Sequence, residues 1–357
     1  MSRSALARAE AFASAYGLQM PILLAPMAGA CPPSLSIAVA NAGGMGSCGA
    51  LMMRPDGIRA WAAETRAGTN GAFQINIWIP DPPPLRDPER EADVRAFLKN
   101  WGPEVPPAAG DAAPPDFAAQ CEAMLEAGPA VISSIMGIFP PDFVASMKAR
   151  GVRWFATATT VAEARAAEAT GADAIVAQGM EAGGHRGAFD AGRAETDVVG
   201  LFALVPAIAD AVRIPVIATG GIADARGVAA ALLLGASAAQ IGTGFLRAPE
   251  AKLPAPWADA LALASPEDTR LTRAFSGRAG RSLANAYVQA AAVPGAPPPA
   301  PYPVQRGLTA AMREAAGKRG DVEAMQAWAG QSARLAQARP AGEIARDLWD
   351  AAKALLN

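Results

Sequence analysis

Eight short apolar runs, each followed by an alanine-rich stretch of helical character, set the main constraint on how this chain can fold. The runs read as strands are Ile22–Ala25, Met45–Cys48, Phe73–Ile77, Ala130–Ile135, Trp154–Ala158, Ala174–Ala177, Val216–Thr219 and Ala239–Ile241. Each is brief and mostly apolar, the pattern of parallel strands covered on both faces. Segments between them, such as Val161–Ala169 and Asp224–Leu234, are rich in Ala, Leu and Glu and read as helices. Strict alternation of the two implies a parallel sheet. Eight units favour a closed (β/α)8 TIM barrel over an open doubly wound sheet. The first strand runs into Ala25-Pro26-Met27-Ala28-Gly29, which lacks the GxGxxG of an open dinucleotide fold. Glycines gather instead after the late strands, at Gly183-Gly184, Gly220-Gly221, Gly242 and Gly244. A barrel keeps its common phosphate site there.

Two regions depart from the repeat. Residues 80–115 are rich in proline and charge and read as an insertion after strand three, with a short helix near Glu89–Asn100. From about Pro249 the repeat stops, and Pro294–Pro303 reads as an extended linker. Helical patterns return in Leu308–Ala316, Val322–Ala336 and Ala341–Leu356. Residues 251–357 are therefore expected to be a mostly helical extension packed on a barrel formed by residues 1–250.

Composition narrows the function. At 52% hydrophobic and 18% charged, the 357 residues can fill a large core. A net charge of -2 advertises no basic face, so nucleic acid is not an expected partner. Cys31, Cys48 and Cys121 fit neither a disulfide framework nor a zinc site, and with one histidine a structural metal is not expected. The first twenty residues lack the long apolar run of a signal peptide, and no apolar stretch is long enough to span a membrane. A soluble cytoplasmic protein, monomer or homodimer, is expected.

The chemistry concentrates in three loops. The stretch Gln178-Gly-Met-Glu-Ala-Gly-Gly-His185-Arg-Gly187 follows strand six, at the end where barrel enzymes keep their sites. Gly183 and Gly184 allow close backbone approach to a ligand, and they deliver the chain's only histidine, His185. Gly220-Gly221 follows strand seven and precedes a helix whose N-terminus would favour an anion. Gln240-Ile241-Gly242-Thr243 follows strand eight and can supply amides and a hydroxyl. Together the last two loops suit the phosphate of a cofactor or substrate. On strand three, Gln74 and Asn76 face the same side, where buried amides need partners. A flat heterocycle would supply them, and so would hydrogen bonding within the barrel. Met27 is either packing or a ridge against a cofactor ring. Glu181 and Arg186 are candidates for an exposed ion pair that steadies the His185 loop. Tyr287, Tyr302 and Trp328 either line the site or pack beneath the late helices.

The stretches PILLAPMAGA, QIN, AQGMEAGGHRG, PVIATGGI and AAQIGTGFL resemble, in order and spacing, the nitronate monooxygenase family (formerly 2-nitropropane dioxygenases) over roughly residues 18–250. The later TRAFSGRAGRSLAN, PYPVQRGLT and WAGQSARL look like its bacterial class I members. The resemblance implies a (β/α)8 barrel holding FMN non-covalently. Met27, Asn76 and Gln178 would contact the isoalloxazine or ribityl part. Gly183, Gly184, Gly220 and Gly221, with Gln240, Ile241, Gly242 and Thr243, would hold the ribityl chain and phosphate. His185 matches the family's catalytic histidine. The implied reaction takes an alkyl nitronate and O2 to a carbonyl compound and nitrite. One departure stands out. Family members with nitronate activity often carry a histidine in Ser-Phe-His-Phe-Gly after strand four, where this chain has Ser133-Ser134-Ile135-Met136-Gly137. Related flavin barrels include NAD(P)H-dependent reductases of quinones and enoyl thioesters, which is the alternative reading. A barrel that merely binds a phosphorylated metabolite lies outside enzymes altogether.

Overall fold

The computed structural model describes residues 4–357. Eight barrel strands form: β1 (Ile22–Leu24), β2 (Gly46–Gly49), β3 (Phe73–Trp78), β4 (Val131–Ile135), β5 (Arg153–Ala158), β6 (Ala174–Gln178), β7 (Val216–Thr219) and β8 (Ala238–Ile241). All neighbours pair in parallel, in chain order from β2 to β8, and β1 pairs with β8. The last seam closes where Leu24 N–H donates to Met45 O (2.9 Å) and Met45 N–H to Ile22 O (3.1 Å). The sheet is therefore a (β/α)8 barrel without a free edge, and each expected strand lies within one or two residues of its observed position.

The interior is layered. At the N-terminal end, Leu23, Met45, Val131, Phe155, Val176 and Ile217 form an apolar plug. The helix Ala5–Ala15 seals it from below with Phe12, and Tyr16 follows, its ring centroid 5.1 Å from that of Phe155. Midway up, Gln74 Nε2 donates to Gln240 Oε1 (2.9 Å) and to Leu24 O (3.3 Å). Hydrogen bonding within the barrel thus accounts for the Gln74 amide N–H. Above that layer, Asn76, Thr157, Gln178 and Thr219 line the cavity at the C-terminal mouth. The change from apolar plug to polar rim gives the barrel one wet end.

Helices follow the strands in register. Pro33, Pro55 and Pro141 open three of them at the first turn, where a missing N–H costs nothing. Thr160 and Glu163 form a capping box at Val161–Ala169. The insertion after β3 carries the expected helix, at Pro88–Leu98.

The C-terminal segment differs from the sequence reading in two respects. First, the final helix, Ala341–Leu356, packs between Ala225–Leu233 and Pro33–Asn41. It stands where a barrel's eighth helix belongs, with Ile344, Leu348 and Trp349 in the main core. Residues 251–340 are accordingly a long excursion between β8 and its helix. Second, Val322–Ala336 is an irregular strap, with only a single 3-10 turn at Ala333–Leu335. Its backbone is committed to neighbours: Ala327 O accepts from Leu283 N–H, and Ala329 N–H donates to Arg281 O. Tertiary hydrogen bonds override the helical propensity of its alanines. The excursion also adds strands Thr269–Thr272 and Gly280–Leu283, which pair antiparallel with each other.

Because the last helix is part of the barrel wall, Trp349→Ala should cost about 3 kcal/mol of unfolding free energy, as for other buried tryptophans. Urea unfolding checks this, and a loss below about 1 kcal/mol would mark the helix as a peripheral attachment.

Candidate active site

The site is built around the loop after β6. Gly184–His185 forms a two-residue strand that pairs antiparallel with Gly280–Arg281 of the excursion. Gly184 sits at φ +77°, a left-handed conformation that glycine adopts readily. Gln178 braces the loop from below. Its Nε2 donates to His185 O (3.0 Å), and its Oε1 accepts from Gly187 N–H (2.8 Å). His185 is thereby held at the barrel mouth, between Trp78 and Trp328, with ring centroids 4.6 and 4.7 Å away in edge-on packing.

Ser276 Oγ lies 2.7 Å from His185 Nε2. The serine hydroxyl can donate its proton either to that nitrogen or to Arg278 O (3.1 Å), and the choice fixes the imidazole tautomer. Nδ1 is the ring nitrogen left for a ligand. Arg278 is itself buried and paired with Asp81, its Nε donating to Asp81 Oδ2 at 2.8 Å. This pair ties the loop after β3 to the hairpin that carries Ser276.

A cavity of about 660 Å³ opens in front of the imidazole. Met27, Asn76, Gln178, Gly183, Gly184, His185, Gly220, Gly221, Gln240, Gly242 and Thr243 all line it. Ile241 does not, since its side chain packs in the core outside the barrel. Asn76 Nδ2 donates to Ser133 O (3.1 Å) and Ser133 Oγ (3.0 Å), the residue beside it on β4. Among the described residues, the amides of Gly220, Gly221, Gly242 and Thr243 donate to no protein acceptor. Gly220 and Gly221 have φ values of +114° and +68°, so their amides take directions that most residues reach only with strain. A Cβ on Gly183 would come 2.5 Å from Gly330 N, so only glycine lets the strap pack this close.

Some expectations are corrected. The helix after Gly220-Gly221 is already capped: Asp224 Oδ1 accepts from Gly227 N–H at 2.9 Å. The cap takes one N–H of the first turn, and the amides of Gly220 and Gly221 lie free in the loop before it. Arg186 and Glu181 form no ion pair. Arg186 is fully buried, and its Nη1 donates to Gly179 O (2.9 Å) and Gln178 O (3.3 Å). Glu181 accepts from Leu201 N–H at 2.9 Å and so caps the next helix. Tyr287 is buried away from the cavity and donates to Ala274 O at 3.0 Å. Trp328 lines the cavity, whereas Tyr302 packs on the far side of Trp78 at 5.3 Å.

Four residues were missed by sequence reasoning: Trp78, Ser276, Arg306 and Arg313. Trp78 could have been found, because it shares a face with Gln74 and Asn76 once β3 is extended by one residue. The arginines carry no such signal. Both line the cavity, and no salt bridge forms at either among the described residues. Arg313 is bonded only to neutral groups: Thr309 Oγ1 (3.1 Å), Gln326 Oε1 (3.1 Å) and Arg306 O (2.9 Å). Burial, then Arg306, pushes its pKa down to about 10. Burial likewise lowers Arg306. For His185, burial is the main cause of a pKa lowered to about 3, with Arg306, Arg278 and Arg313 adding to it. The imidazole is neutral, and the local excess charge is positive. Ile135, the last residue of β4, lines the cavity and makes that wall apolar.

A closed parallel barrel with a cofactor-sized cavity and one neutral imidazole at its C-terminal mouth defines a (β/α)8-barrel enzyme. Comparison with known proteins agrees. The nitronate monooxygenase family profile matches residues 10–350. Nitronate monooxygenase from Paraburkholderia phytofirmans is 41% identical over 338 residues, covering 93% of this chain and 92% of that one. Nitronate monooxygenase from Pseudomonas aeruginosa is 40% identical over 348 residues, covering 94% and 97%. Among solved structures, a nitroalkane oxidase from Streptomyces ansochromogenes superposes with a TM-score of 0.86 at 36% identity, covering 97% of this chain and all of that one. The chain belongs to the nitronate monooxygenase family, and it is a flavin-dependent oxidoreductase. No helix among the described residues is long and apolar enough to cross a membrane.

His185 is the only histidine, so its ring proton resonance is unambiguous. It should not titrate between about pH 5 and about pH 8. Arg306→Gln should raise its midpoint, whereas a wild-type midpoint near the ordinary 6.5 would contradict the buried neutral ring. Linkage fixes the sign for stability. The unfolded chain binds this proton first, so the contribution is complete above the ordinary value of 6.5 and is lost as pH falls toward 3.

Proposed function

We propose that this chain holds FMN at the barrel mouth and oxidises alkyl nitronates, such as propionate 3-nitronate, with O2 to a carbonyl compound and nitrite. The observation that carries this reading is the cation pair Arg306 and Arg313, unbalanced by any carboxylate, beside a neutral imidazole. A buried cation without a counterion is costly, and an anionic substrate relieves it.

The residues present fit a flavin. The free amides of Gly220, Gly221, Gly242 and Thr243 form a cradle for a phosphate. Gly183, Gly184 and Gln240 would complete the grip on the ribityl chain and phosphate, with Ile241 contributing backbone alone. Met27, Asn76 and Gln178 would face the isoalloxazine. When bound, the flavin supplies the electron transfer that no side chain here can perform.

The chain's own residues bind and orient. Arg306 and Arg313 attract the nitronate, which arrives already deprotonated and so needs no strong base. His185, held near a pKa of about 3, would be a poor base toward a neutral nitroalkane. Its free Nδ1 instead positions the nitronate oxygens when that nitrogen carries the ring proton. Trp78, Trp328 and Ile135 exclude water from the same space.

Protein reconstituted with FMN should lose flavin absorbance anaerobically on addition of an alkyl nitronate, and should release nitrite in air. Neutral nitroalkanes should be far slower substrates than their nitronates. Arg306→Met should lower kcat/KM for nitronates by roughly tenfold to a hundredfold, the loss of one charge-assisted hydrogen bond. Rapid reduction by NADH or NADPH, with no response to nitronate, would move the protein among the reductases of quinones or enoyl thioesters.

A further inference from the structure

A second cavity, of about 430 Å³, lies beyond the wall of the first. Leu51 and Trp78 line both. The rest of the second cavity comes from the insertion after β3 and from the excursion: Ile79, Pro82–Pro84, Ala113–Pro115, Phe117 and Tyr302. Its polar lining groups are nearly all engaged. Asp81 is paired with Arg278, and Arg86 with Glu91 and Asp111. Gln120 Nε2 donates to the carbonyls of Ala50, Leu51 and Met53. The Tyr302 hydroxyl is buried without a partner. Such a space offers contact area and at most one hydrogen bond. Prolines with fixed φ wall it, so little ordering is needed on binding.

We propose that this cavity takes the aliphatic chain of a longer nitronate, whose charged end sits between His185 and Arg306. The inference rests on the nitronate reading and names its substrate class. The shared wall of Leu51 and Trp78 argues for a substrate chain over an independent ligand. Trp78 lines both cavities and packs 4.6 Å from His185 and 5.3 Å from Tyr302, so it stands between reacting end and chain.

The test is a homologous series of nitronates from ethyl to octyl. Wild-type kcat/KM should rise with length, by up to about fourfold per buried methylene. Ile79→Phe and Ala113→Trp fill the second cavity from two separate stretches of its lining, and each should collapse the octyl-to-ethyl ratio. Alkanoates from acetate to octanoate are unreactive planar anions, and calorimetry on the FMN-loaded protein should show them binding more tightly with length, less so in the filled variants. Equal kcat/KM for ethyl and octyl nitronates, or a length preference that survives in both variants, would overturn the proposal. If no nitronate is oxidised, the functional reading fails by itself. The alkanoates then decide the cavity: length-dependent binding lost in the variants supports it, and length-independent binding ends it.

Discussion

The pairing of Gly184–His185 with Gly280–Arg281 joins the two halves of this protein. On one side is a barrel whose strands and helices could be assembled by rule. On the other is an excursion of short helices, a hairpin and an irregular strap, which this pairing and the Arg278–Asp81 pair hold across the mouth. That short ladder brings Ser276 to the imidazole and Trp328 against its face. The strap 321–336 then locks over Gly183, where a side chain could not be tolerated. Few hydrogen bonds are involved, but each buried backbone group must be paired, and here the pairing fixes the site.

The electrostatics follow from the same arrangement. The excursion contributes Arg278, Arg306 and Arg313 to the neighbourhood of His185. Arg278 is answered by Asp81, whereas the other two line the cavity without an acid. Three cations around a buried ring favour its neutral form, the opposite of what a carboxylate partner would do. The charge at the mouth is thus set by elements outside the regular repeat.

This division explains what could be read in advance. Parallel strands buried on both faces leave continuous apolar runs, so the eight-strand count and its boundaries were legible. So was the placing of the glycine loops at the mouth, where Gly183, Gly184, Gly220, Gly221 and Gly242 line the cavity. The excursion was legible only in part: the helix expected at Leu308–Ala316 forms as Ala310–Arg319, whereas the strap after it did not read. Its alanines at Ala327, Ala329 and Ala333 suggested a helix, yet they pack as an irregular strap because their hydrogen-bond partners come from distant chain. The final helix looked like an attachment, because 99 residues (242–340) separate it from the strand it follows. Arg186 looked like a surface charge and proved to be a buried brace. Local pattern reports burial and turn geometry; it does not report which remote carbonyl a guanidinium will find.

A (β/α)8 barrel by itself says little about chemistry. Here the barrel supplies a stiff rim, polar side chains at its strand ends, and amides that can hold a phosphate. Under the proposed function, substrate recognition is drawn from the two places where the repeat is interrupted. The insertion after β3 and the excursion after β8 meet at Asp81 and Arg278 and at Trp78 and Tyr302, above the same mouth. Both can change in length and sequence without disturbing the strands below. On that reading, cofactor grip and substrate choice rest on separable parts of the chain, and His185 stands at their boundary.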